Sequence, residues 1–568
     1  MIEDDHGNVA PDFKSRLTEP LLFYAAPLLL LWSPFINYLV VDHNYPLYSL
    51  EALICIATLG MAALLVAVLW HLPSRLPYTA AVALLITTFI DREFSWMEST
   101  SKLTLAGLYV LLICLLWKGG KKILAVLTAF LGAFLGTTLV MAMFSSSVSA
   151  VIRDRSANSV GKQLPRLIHL VLDEHVGVEA IPSDTNLGQQ LKQSILDFYG
   201  EFGFLLYGRT YSHYYETYDS LPNLLNFSLE TTPRALVESI DAPHSLRKNN
   251  YFVWLEQHQY VVEVVSAGYL DYCKGPMIPA QRCKNYRFDA LQSLNHLDMP
   301  SLTKVPVLLG AYMTRYHRYR RVLEVYEDHI FPKLTTLGVP APKLPQDTLW
   351  TWNHLIPLSV SALAVLEEIW EDILTLPEGH ALYIHLLLPH TPYVAREDCS
   401  FRLIQETKGL SLDHPDRHWS QEKRAGMYED YLKQTVCLYA KLEQLFRKMR
   451  AAGMLDNSIV ILHGDHGSRL GFRAPLKENL GQFTTRDFLD GFATLFAIKV
   501  PGESGGYNLE VQSLQHVFRE WLARAINSPP MPPLLPDEGE PFVYFFAGEG
   551  RPYVRVPNAS IDTHNIRP

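Results

Sequence analysis

An aspartate and a histidine are adjacent in this chain, shortly after an apolar run, with a glycine on either side of the pair. Residues 459–462 are Ile-Val-Ile-Leu, and Asp465 and His466 follow between Gly464 and Gly467. A carboxylate oxygen and an imidazole nitrogen together suit zinc or manganese better than calcium. Alone, the motif would also fit a strand followed by a polar turn, because Asp and Gly are favoured in turns. Together with the motifs below, it predicts half of a site for a divalent metal ion.

A long helix is predicted directly before this strand. Its apolar positions recur mostly at three, four or seven residues; they are Met427, Tyr431, Leu438, Leu442, Leu445, Phe446 and Met449. That spacing is typical of an amphipathic helix, and Gly453 is well placed to end it in a left-handed conformation. The order of helix, glycine, Asp-Asn turn, apolar strand and Asp-His-Gly resembles the metal-binding segment of the sulfatase-like branch of the alkaline phosphatase superfamily.

A second acidic motif ends an earlier apolar run. Residues 164–172 read Leu-Pro-Arg-Leu-Ile-His-Leu-Val-Leu and are followed by Asp173 and Glu174. A continuous apolar run is typical of a strand buried on both faces of a parallel sheet. The resemblance implies that one of the two carboxylates binds metal: the sulfatase pattern, counted from Pro165, favours Asp173, and the phosphoethanolamine transferase pattern favours Glu174. A helix cap formed by Asp173 is the structural alternative.

The region after the first strand lacks the Cys/Ser-x-Pro-x-Arg motif of sulfatases. Residues 217–222 read Thr-Tyr-Asp-Ser-Leu-Pro, which is similar to the Thr-x-x-Ser-x-Pro of phosphoethanolamine transferases and to the Thr-Ser-Asp-Ala/Ser of lipoteichoic acid synthases. The resemblance implies Thr217 as nucleophile and metal ligand, with Ser220 as the second candidate nucleophile. A threonine hydroxyl is a poor nucleophile at neutral pH, but a divalent ion stabilises its alkoxide. A threonine in a polar loop is the alternative.

A fourth motif again ends an apolar strand with a polar turn. Residues 383–393 read Tyr-Ile-His-Leu-Leu-Leu-Pro-His-Thr-Pro-Tyr and contain His390 in a His-x-Pro pattern. The resemblance implies that His390 contacts the phosphate or sulfate, since an imidazole can donate to a phosphoryl oxygen or protonate a leaving group. His385 lies inside the predicted strand and is expected to be a hydrogen-bonded core histidine.

The segment after Asp-His-Gly departs from the transferases, which usually place another histidine there. Residues 468–481 contain none. Arg469, Arg473 or Lys477 could supply positive charge to a substrate phosphate instead, because arginine can bind phosphate in a bidentate way. Solvated basic side chains are the alternative, and the missing histidine leaves the number of metal ions and the substrate open.

The first quarter of the chain is strongly apolar. Five apolar spans are predicted to be transmembrane helices, near 21–41, 49–70, 76–91, 103–117 and 123–145. A helix needs about 20 residues to cross a hydrocarbon core of about 30 Å, so the third and fourth spans are short. Five such runs in succession are hard to bury in one soluble globule.

Basic residues in the short loops predict the orientation. Lys14 and Arg16 precede the first span, and Lys118, Lys121 and Lys122 separate the fourth from the fifth. By the positive-inside rule the N-terminus is cytoplasmic. Five crossings of the inner membrane then place the rest of the chain in the periplasm or outside the cell. Five helices followed by an external catalytic domain also resembles the architecture of phosphoethanolamine transferases and lipoteichoic acid synthases.

The remaining sequence fits one large α/β domain. We predict a membrane domain over 1–145, a linker over 146–163, and an alkaline-phosphatase-like, sulfatase-like domain over 164–568. Predicted strands are 167–172, 251–255, 259–265, 381–388, 458–463, 492–500 and 542–546, and predicted helices are 187–200, 357–374, 423–452 and 510–526. Ligands at the carboxyl ends of such strands meet in one crevice.

Charge and cysteine content limit the partners and the compartment. The 568 residues carry a net charge of -9, and without a concentrated basic arm this argues against nucleic acid. Outside the spans there are four cysteines. Cys273 and Cys283 are close enough for a local disulfide in an oxidising compartment, whereas Cys399 and Cys437 fit either a pair or free thiols.

Together the motifs predict a membrane-anchored, metal-dependent transferase. It would bind one divalent ion, with zinc favoured over manganese or magnesium, and move a phosphate-containing head group from a membrane phospholipid to an envelope glycan or lipid through a Thr217-linked intermediate. A sulfatase-like hydrolase or phosphodiesterase would use the same site with water as acceptor. A catalytically degenerate membrane protein is the third interpretation, and the missing downstream histidine favours it.

Overall fold

The chain divides into two compact units. One comprises Met1–Val148 and Met299–Gln346, and the other Ser149–Asp298 and Asp347–Pro568. The structure, a computed structural model, describes residues 13–93, 102–144, 164–238, 244–267, 270–273, 278–286, 294–295, 300–314, 333, 346–400, 402, 420–536, 540–548 and 551–557. The predicted linker 146–163 lies outside these residues. The prediction limited the N-terminal domain to residues 1–145, whereas the N-terminal unit also contains Met299–Gln346.

Both units contain helices among their described residues. In chain order these helices are α1 Phe13–Asn37, α2 Leu50–Val68, α3 Leu76–Glu93, α4 Lys102–Phe144, α5 Asn186–Phe202, α6 Thr217–Asn226, α7 Asn250–Gln257, α8 Ser301–Thr314, α9 Gln346–Leu374, α10 Gln421–Ala451, α11 Thr485–Phe492 and α12 Leu514–Ala525. Helices α1 to α4 and α8 fall in the N-terminal unit, and α5 to α7 and α10 to α12 in the other.

Three described helices are long and apolar enough to cross a membrane. They are Leu21–Asp42, Leu50–His71 and Gly107–Met141, and Leu76–Ile90 is a shorter apolar helix. The fourth and fifth predicted spans are joined in α4, so the count of five is not confirmed. Gly119 and Gly120 between them do not end the helix, because a glycine in a helix interior costs only about 1 kcal/mol.

Helix α4 runs in the same direction as α1. Near the C-terminal ends of both, the Thr138 hydroxyl donates to Asn37 Oδ1 at 3.2 Å. Farther from those ends, the hydroxyl of Tyr109 in α4 donates to the carbonyl of Ala80 at 3.4 Å, and the ring of Tyr78, also in α3, packs on Phe23, which precedes Asn37 in α1. The chain therefore leaves α4 at the end of this unit where α1 ends and α2 begins.

The other unit is built on an eight-stranded sheet. The described strands are β1 Arg166–Leu172, β2 Leu205–Tyr211, β3 Val237–Glu238, β4 His244–Leu246, β5 Val261–Ala267, β6 Leu270–Asp271, β7 Ala280–Tyr286, β8 His380–Leu386, β9 Ser458–His463, β10 Phe496–Lys499, β11 Gly506–Ser513, β12 Phe542–Phe545 and β13 Val554–Pro557. The large sheet has the order β11-β2-β10-β9-β1-β8-β5-β7. Strand β10 is antiparallel to both neighbours, and the other pairs are parallel.

Strand β1 lies between β8 and β9, and the carboxyl ends of these three strands carry the predicted site residues. It pairs in parallel with β8 on one side and with β9 on the other, with Leu172 opposite Leu386 and Val171 opposite His463. All of β1 after Arg166 is buried, as its continuous apolar sequence predicts. The carboxyl ends of three strands that are far apart in sequence thus meet at one edge, and three of the predicted motifs follow those ends.

One predicted strand, 251–255, is wrong. Residues 251–255 lie in α7, where Asn249 caps the helix by accepting from the Phe252 amide at 3.0 Å. A short apolar run does not distinguish a buried strand from a buried helix face, and here the N-terminal cap stabilises the helix.

The four cysteines outside the apolar spans form two disulfides. They join Cys273 to Cys283 and Cys399 to Cys437.

Candidate metal centre

Two strand ends place three potential metal ligands together. Asp173 directly follows β1, and Asp465 and His466 follow β9. Each residue offers one ligand atom, and these atoms lie within 4.8 Å of one another. All three residues are fully buried. We call Asp173, Asp465 and His466 the metal group; it is the one group of this kind within the described parts of the chain.

The hydrogen bonds of the metal group leave suitable atoms for a cation. His466 Nδ1 donates to the Gly467 carbonyl at 2.9 Å, which leaves Nε2 for a proton or a metal ion. Among the described residues, Asp173 Oδ1 and Asp465 Oδ2 accept no hydrogen bond, although Asp465 Oδ2 lies 3.1 Å from His466 Nε2. Unpaired buried carboxylate oxygens are costly. The residues present therefore fit a divalent cation with oxygen and nitrogen ligands.

The environment keeps Asp465 ionised. Burial raises the pKa of its carboxyl, but the electrostatic interactions with His466 and His385 outweigh burial and hold the pKa below its ordinary value. Its Oδ1 atom accepts from the Glu174 backbone amide at 3.0 Å, which also favours the charged form. Asp465 is consequently an anion at neutral pH, as a metal ligand must be.

Two glycines allow the Asp-His turn to approach its surroundings closely. A Cβ atom on Gly464 would lie 2.4 Å from the His175 carbonyl oxygen, and one on Gly467 would lie 2.3 Å from the Asp490 carbonyl oxygen. Both contacts are with backbone and cannot relax by a side-chain rotation. Only glycine fits at these positions, which is the physical reason for the glycines on either side of Asp465 and His466.

Thr217 lies at the edge of the metal group. It is the first residue of α6 and is 3 % exposed. Its Oγ1 atom is 3.4 Å from Asp173 Oδ2 and 3.2 Å from His466 Nε2. The N-terminus of a helix carries partial positive charge, which stabilises an anion formed there. The hydroxyl is thus placed where both a metal ion and the helix could stabilise its deprotonated form.

Ser220, the second candidate nucleophile, makes different contacts. Its hydroxyl donates to the Asp465 carbonyl at 2.6 Å and lies 2.9 Å from the Ser212 hydroxyl. These bonds fix α6 against the turn that carries Asp465. Of the two hydroxyls, that of Thr217 is in contact with metal-group side chains, and that of Ser220 is in contact with backbone and another serine.

His385 has a role that the sequence did not predict. It is fully buried in β8, as expected for a core histidine, but its Nε2 atom lies 3.1 Å from Asp173 Oδ2 and its Nδ1 atom 3.0 Å from the Tyr272 hydroxyl. The contact with Oδ2 fixes the carboxylate and leaves Oδ1 for the metal group. The sequence signal for this role was a polar histidine inside an apolar strand. The sequence could not show that Asp173 is its partner, because that contact depends on β8 lying beside β1.

Glu174 has a different set of partners from Asp173. Its carboxylate accepts from Arg469 Nε at 2.6 Å and from the Thr391 amide at 3.1 Å. Burial raises the pKa of Glu174, but the charges of Arg469 and His390 outweigh it and the pKa is lowered. A φ of 62° at Glu174 lies in the left-handed region, where the chain direction changes between the two acids. Asp173 is therefore the acid in the metal group, and Glu174 is in an ion pair.

The structure brings His390 and Arg469 together beside Glu174. Arg469 Nη2 is 3.2 Å from His390 Nε2, and His390 Nε2 is 3.7 Å from Glu174 Oε1. We call these three residues the Arg469 cluster. Arg473, the other predicted substrate contact, is half-buried and donates through its backbone amide to Asp487 Oδ1 at 3.3 Å. No contact of Arg473 with the metal group or the Arg469 cluster is present in the described residues.

Known proteins resemble parts of this chain. No model of a known protein family matches it. Lipoteichoic acid synthase 1 of Bacillus subtilis is 33% identical over 82 residues, which is 14% of this chain and 13% of that protein. Lipoteichoic acid synthase of Staphylococcus aureus is 33% identical over 84 residues, again 14% and 13%. The match thus spans about an eighth of the length of these relatives.

Solved structures give wider but weaker matches. The C-terminal periplasmic domain of EcEptC from Escherichia coli has 13% identity and a TM-score of 0.39, covering 70% of this chain and 93% of that one. The lipoteichoic acid synthase LtaP from Listeria monocytogenes has 10% identity and a TM-score of 0.32, covering 69% and 85%. A protein in the alkaline phosphatase superfamily from Vibrio parahaemolyticus has 10% identity and a TM-score of 0.35, covering 70% and 83%. The partial match to the lipoteichoic acid synthases confirms the resemblance to that group of enzymes predicted from the motifs.

Proposed function

We propose that this protein is a membrane-anchored, metal-dependent transferase. It would take phosphoethanolamine or phosphoglycerol from a membrane phospholipid and pass it to an envelope glycan or lipid. The observation that carries the proposal is the Thr217 hydroxyl, which lies within 3.4 Å of two members of the metal group at the N-terminus of α6. The apolar helices of the N-terminal unit would keep the enzyme at the bilayer, so that the donor lipid need not leave it.

Asp173, Asp465, His466 and Thr217 would hold one divalent ion, zinc in preference to manganese or magnesium. Such an ion lowers the pKa of a bound hydroxyl and balances negative charge on a phosphoryl group. His385 keeps Asp173 in position, and the Glu174 amide does the same for Asp465. Zinc accepts both imidazole and carboxylate ligands, and the three oxygen ligands also suit manganese.

The proposed reaction consists of two displacements at phosphorus. Thr217 Oγ1 attacks the phosphodiester of the donor; the bond from Oγ1 to phosphorus forms, the bond to the diacylglycerol oxygen breaks, and that oxygen takes up the proton lost by Thr217. An acceptor hydroxyl then attacks the same phosphorus; the bond from phosphorus to Thr217 Oγ1 breaks, and Oγ1 takes up the proton that the acceptor loses. A threonine in place of a formylglycine precursor weighs against sulfate-ester hydrolysis, but not against water as the second attacking group.

The Arg469 cluster would bind the phosphoryl oxygens. The ion pair with Glu174 fixes the plane of the Arg469 guanidinium, because Nε is held at 2.6 Å. His390 is 14% exposed through its side chain; since its Nδ1 atom donates to the Thr391 carbonyl, a protonated Nε2 atom would be the donor to a phosphoryl oxygen. Since Glu174 offsets the charge of Arg469, the cluster would contribute oriented donors more than net positive charge.

Lipid turnover by the full-length protein tests the proposal. In detergent or nanodiscs with fluorescent phosphatidylethanolamine or phosphatidylglycerol, we expect release of diacylglycerol that stops after chelation and returns with zinc or manganese. Head group appearing free in solution, at the same rate with and without acceptor, would show a phosphodiesterase instead. A metal-loaded protein that releases diacylglycerol from neither lipid would contradict the proposal and favour a degenerate enzyme.

We also propose that the α/β unit lies outside the cytoplasm. Basic residues before the first span predict a cytoplasmic N-terminus, and α4 ends at the opposite end of its unit, beside Asn37. Three crossings by α1, α2 and α4 place the following residues on the same side as five would, because both numbers are odd. A reporter fused after residue 145 should be active only outside the cytoplasm. Activity inside would mean an even number of crossings.

A further inference from the structure

Helix α8 comes from the middle of the chain but packs in the N-terminal unit. The Tyr312 ring lies 5.0 Å from that of Phe35 and 5.5 Å from that of Tyr38, close to the end of α1. The Cys55 thiol in the first turns of α2 donates to the Val305 carbonyl at 3.8 Å. After more than a hundred residues of the α/β unit, the chain therefore returns to the apolar helices, at the end where α1 stops and α2 starts.

The single charged side chain of α8 faces inward. Lys304 is the one charged residue of 301–314, and it is 5% exposed. Its neighbour is Glu51 in the first turn of α2, which is 4% exposed and accepts from the Tyr45 hydroxyl at 2.7 Å and from the Ser301 side chain. A buried lysine is stable when it is paired with a carboxylate that has further hydrogen bonds. Ser301 and Lys304 of α8 thus both interact with the Glu51 carboxylate of α2.

The outward side of α8 is apolar. Leu302 is 73% exposed, and Val305 and Leu309 are half-buried. This surface adjoins α2, a candidate membrane span whose outward residues include Leu53 and Leu64, 51% and 53% exposed. Large apolar side chains exposed to water are unfavourable, whereas lipid chains solvate them without such a cost.

We propose that α8 is embedded in the bilayer as a re-entrant helix. Its 14 residues reach about 21 Å at 1.5 Å per residue, which is too short for a hydrocarbon core of about 30 Å. We therefore propose that it enters the leaflet at the end of the unit where α1 ends and that the chain leaves the bilayer on the same side. Helix α8 would lie against α2 with its apolar side toward the acyl chains. The pair of Lys304 and Glu51 anchors it. The partner of this surface is the lipid bilayer.

Quenching by spin-labelled lipid tests the location. The full-length protein with Cys55→Ser and Cys114→Ala, both disulfides intact, receives Leu302→Cys with an environment-sensitive fluorophore and is placed in nanodiscs with acyl-chain doxyl lipid. Leu64→Cys is the lipid-facing control. Arg447→Cys on α10, 55% exposed beside Glu201 and Glu443, is the aqueous control. We expect several-fold quenching at 302, as at 64, and little at 447.

Equal signals at 302 and 447 would overturn the proposal, whatever the enzymatic activity. The anchor is tested separately with the 302 label. Lys304→Glu should reduce the quenching, and the combination of Glu51→Lys and Lys304→Glu should restore it, because the pair is re-formed with exchanged charges. If the charge-swapped protein stays unquenched while Leu64→Cys in the same background is quenched, the pair is not the anchor. If Lys304→Glu does not fold, the quenching measured with the native pair still decides the location.

Discussion

Thr217→Ala is expected to reduce head-group transfer to background while the protein remains folded. Removal of the nucleophile of a serine protease lowers kcat by a factor on the order of 10⁶. The Thr217 hydroxyl makes contacts of 3.2 and 3.4 Å within the metal group, and one such hydroxyl contributes only about 1 kcal/mol to stability. Turnover and thermal unfolding measured on the same preparation should therefore separate the two effects.

A covalent adduct would identify both the nucleophile and the head group. After incubation with phospholipid and without acceptor, the peptide around Thr217 should gain the mass of phosphoethanolamine or of phosphoglycerol, which differ. Thr217→Ala should lack the adduct. Thr217→Ser keeps a hydroxyl at the same place and should form it.

Ser220→Ala is the matched control for this experiment. Its hydroxyl donates to the Asp465 carbonyl at 2.6 Å, so its loss should weaken turnover by disturbing the turn but should leave the adduct on Thr217. Fragmentation that places the adduct on Ser220 would keep the reaction class and move the nucleophile by three residues. Full activity of Thr217→Ala would rule out the proposed mechanism.

Asp465→Ala is expected to remove the metal ion from the purified protein. The carboxylate supplies one of three buried ligand atoms within 4.8 Å, and loss of even an outer partner of a ligand typically weakens metal affinity by about 10 to 100-fold. Loss of a ligand itself should cost more. Elemental analysis after dialysis should give stoichiometric metal in the unaltered protein and little in the variant.

Glu174→Gln is the control that separates the two adjacent acids. Glu174 is as buried as Asp173, but its carboxylate is paired with Arg469. The variant should therefore keep its metal, whereas Asp173→Asn should lose it. Stoichiometric metal in Asp465→Ala would contradict the assignment of the metal group, and loss of metal from Glu174→Gln alone would move the ligand to the second acid.

The sequence by itself determined the local parts of the site. Each motif joins a buried strand or a helix start to a polar residue, and such signals lie within about ten residues along the chain. Asp465 and His466 after β9 and the acidic pair after β1 were found in this way, whereas Thr217 was found through the resemblance of residues 217–222 to a transferase motif. The apolar helices and the α/β character of the remainder were also evident, since they depend on composition and periodicity.

Only the tertiary structure showed which residue makes which contact in the site. The order of strands in the sheet brings His385 against Asp173, although they are more than two hundred residues apart. The left-handed backbone at Glu174 separates two acids that sequence patterns could not distinguish. The return of α8 to the apolar N-terminal helices likewise depends on packing between distant segments. Contacts of this kind carry no short-range periodicity, so a single sequence does not reveal them.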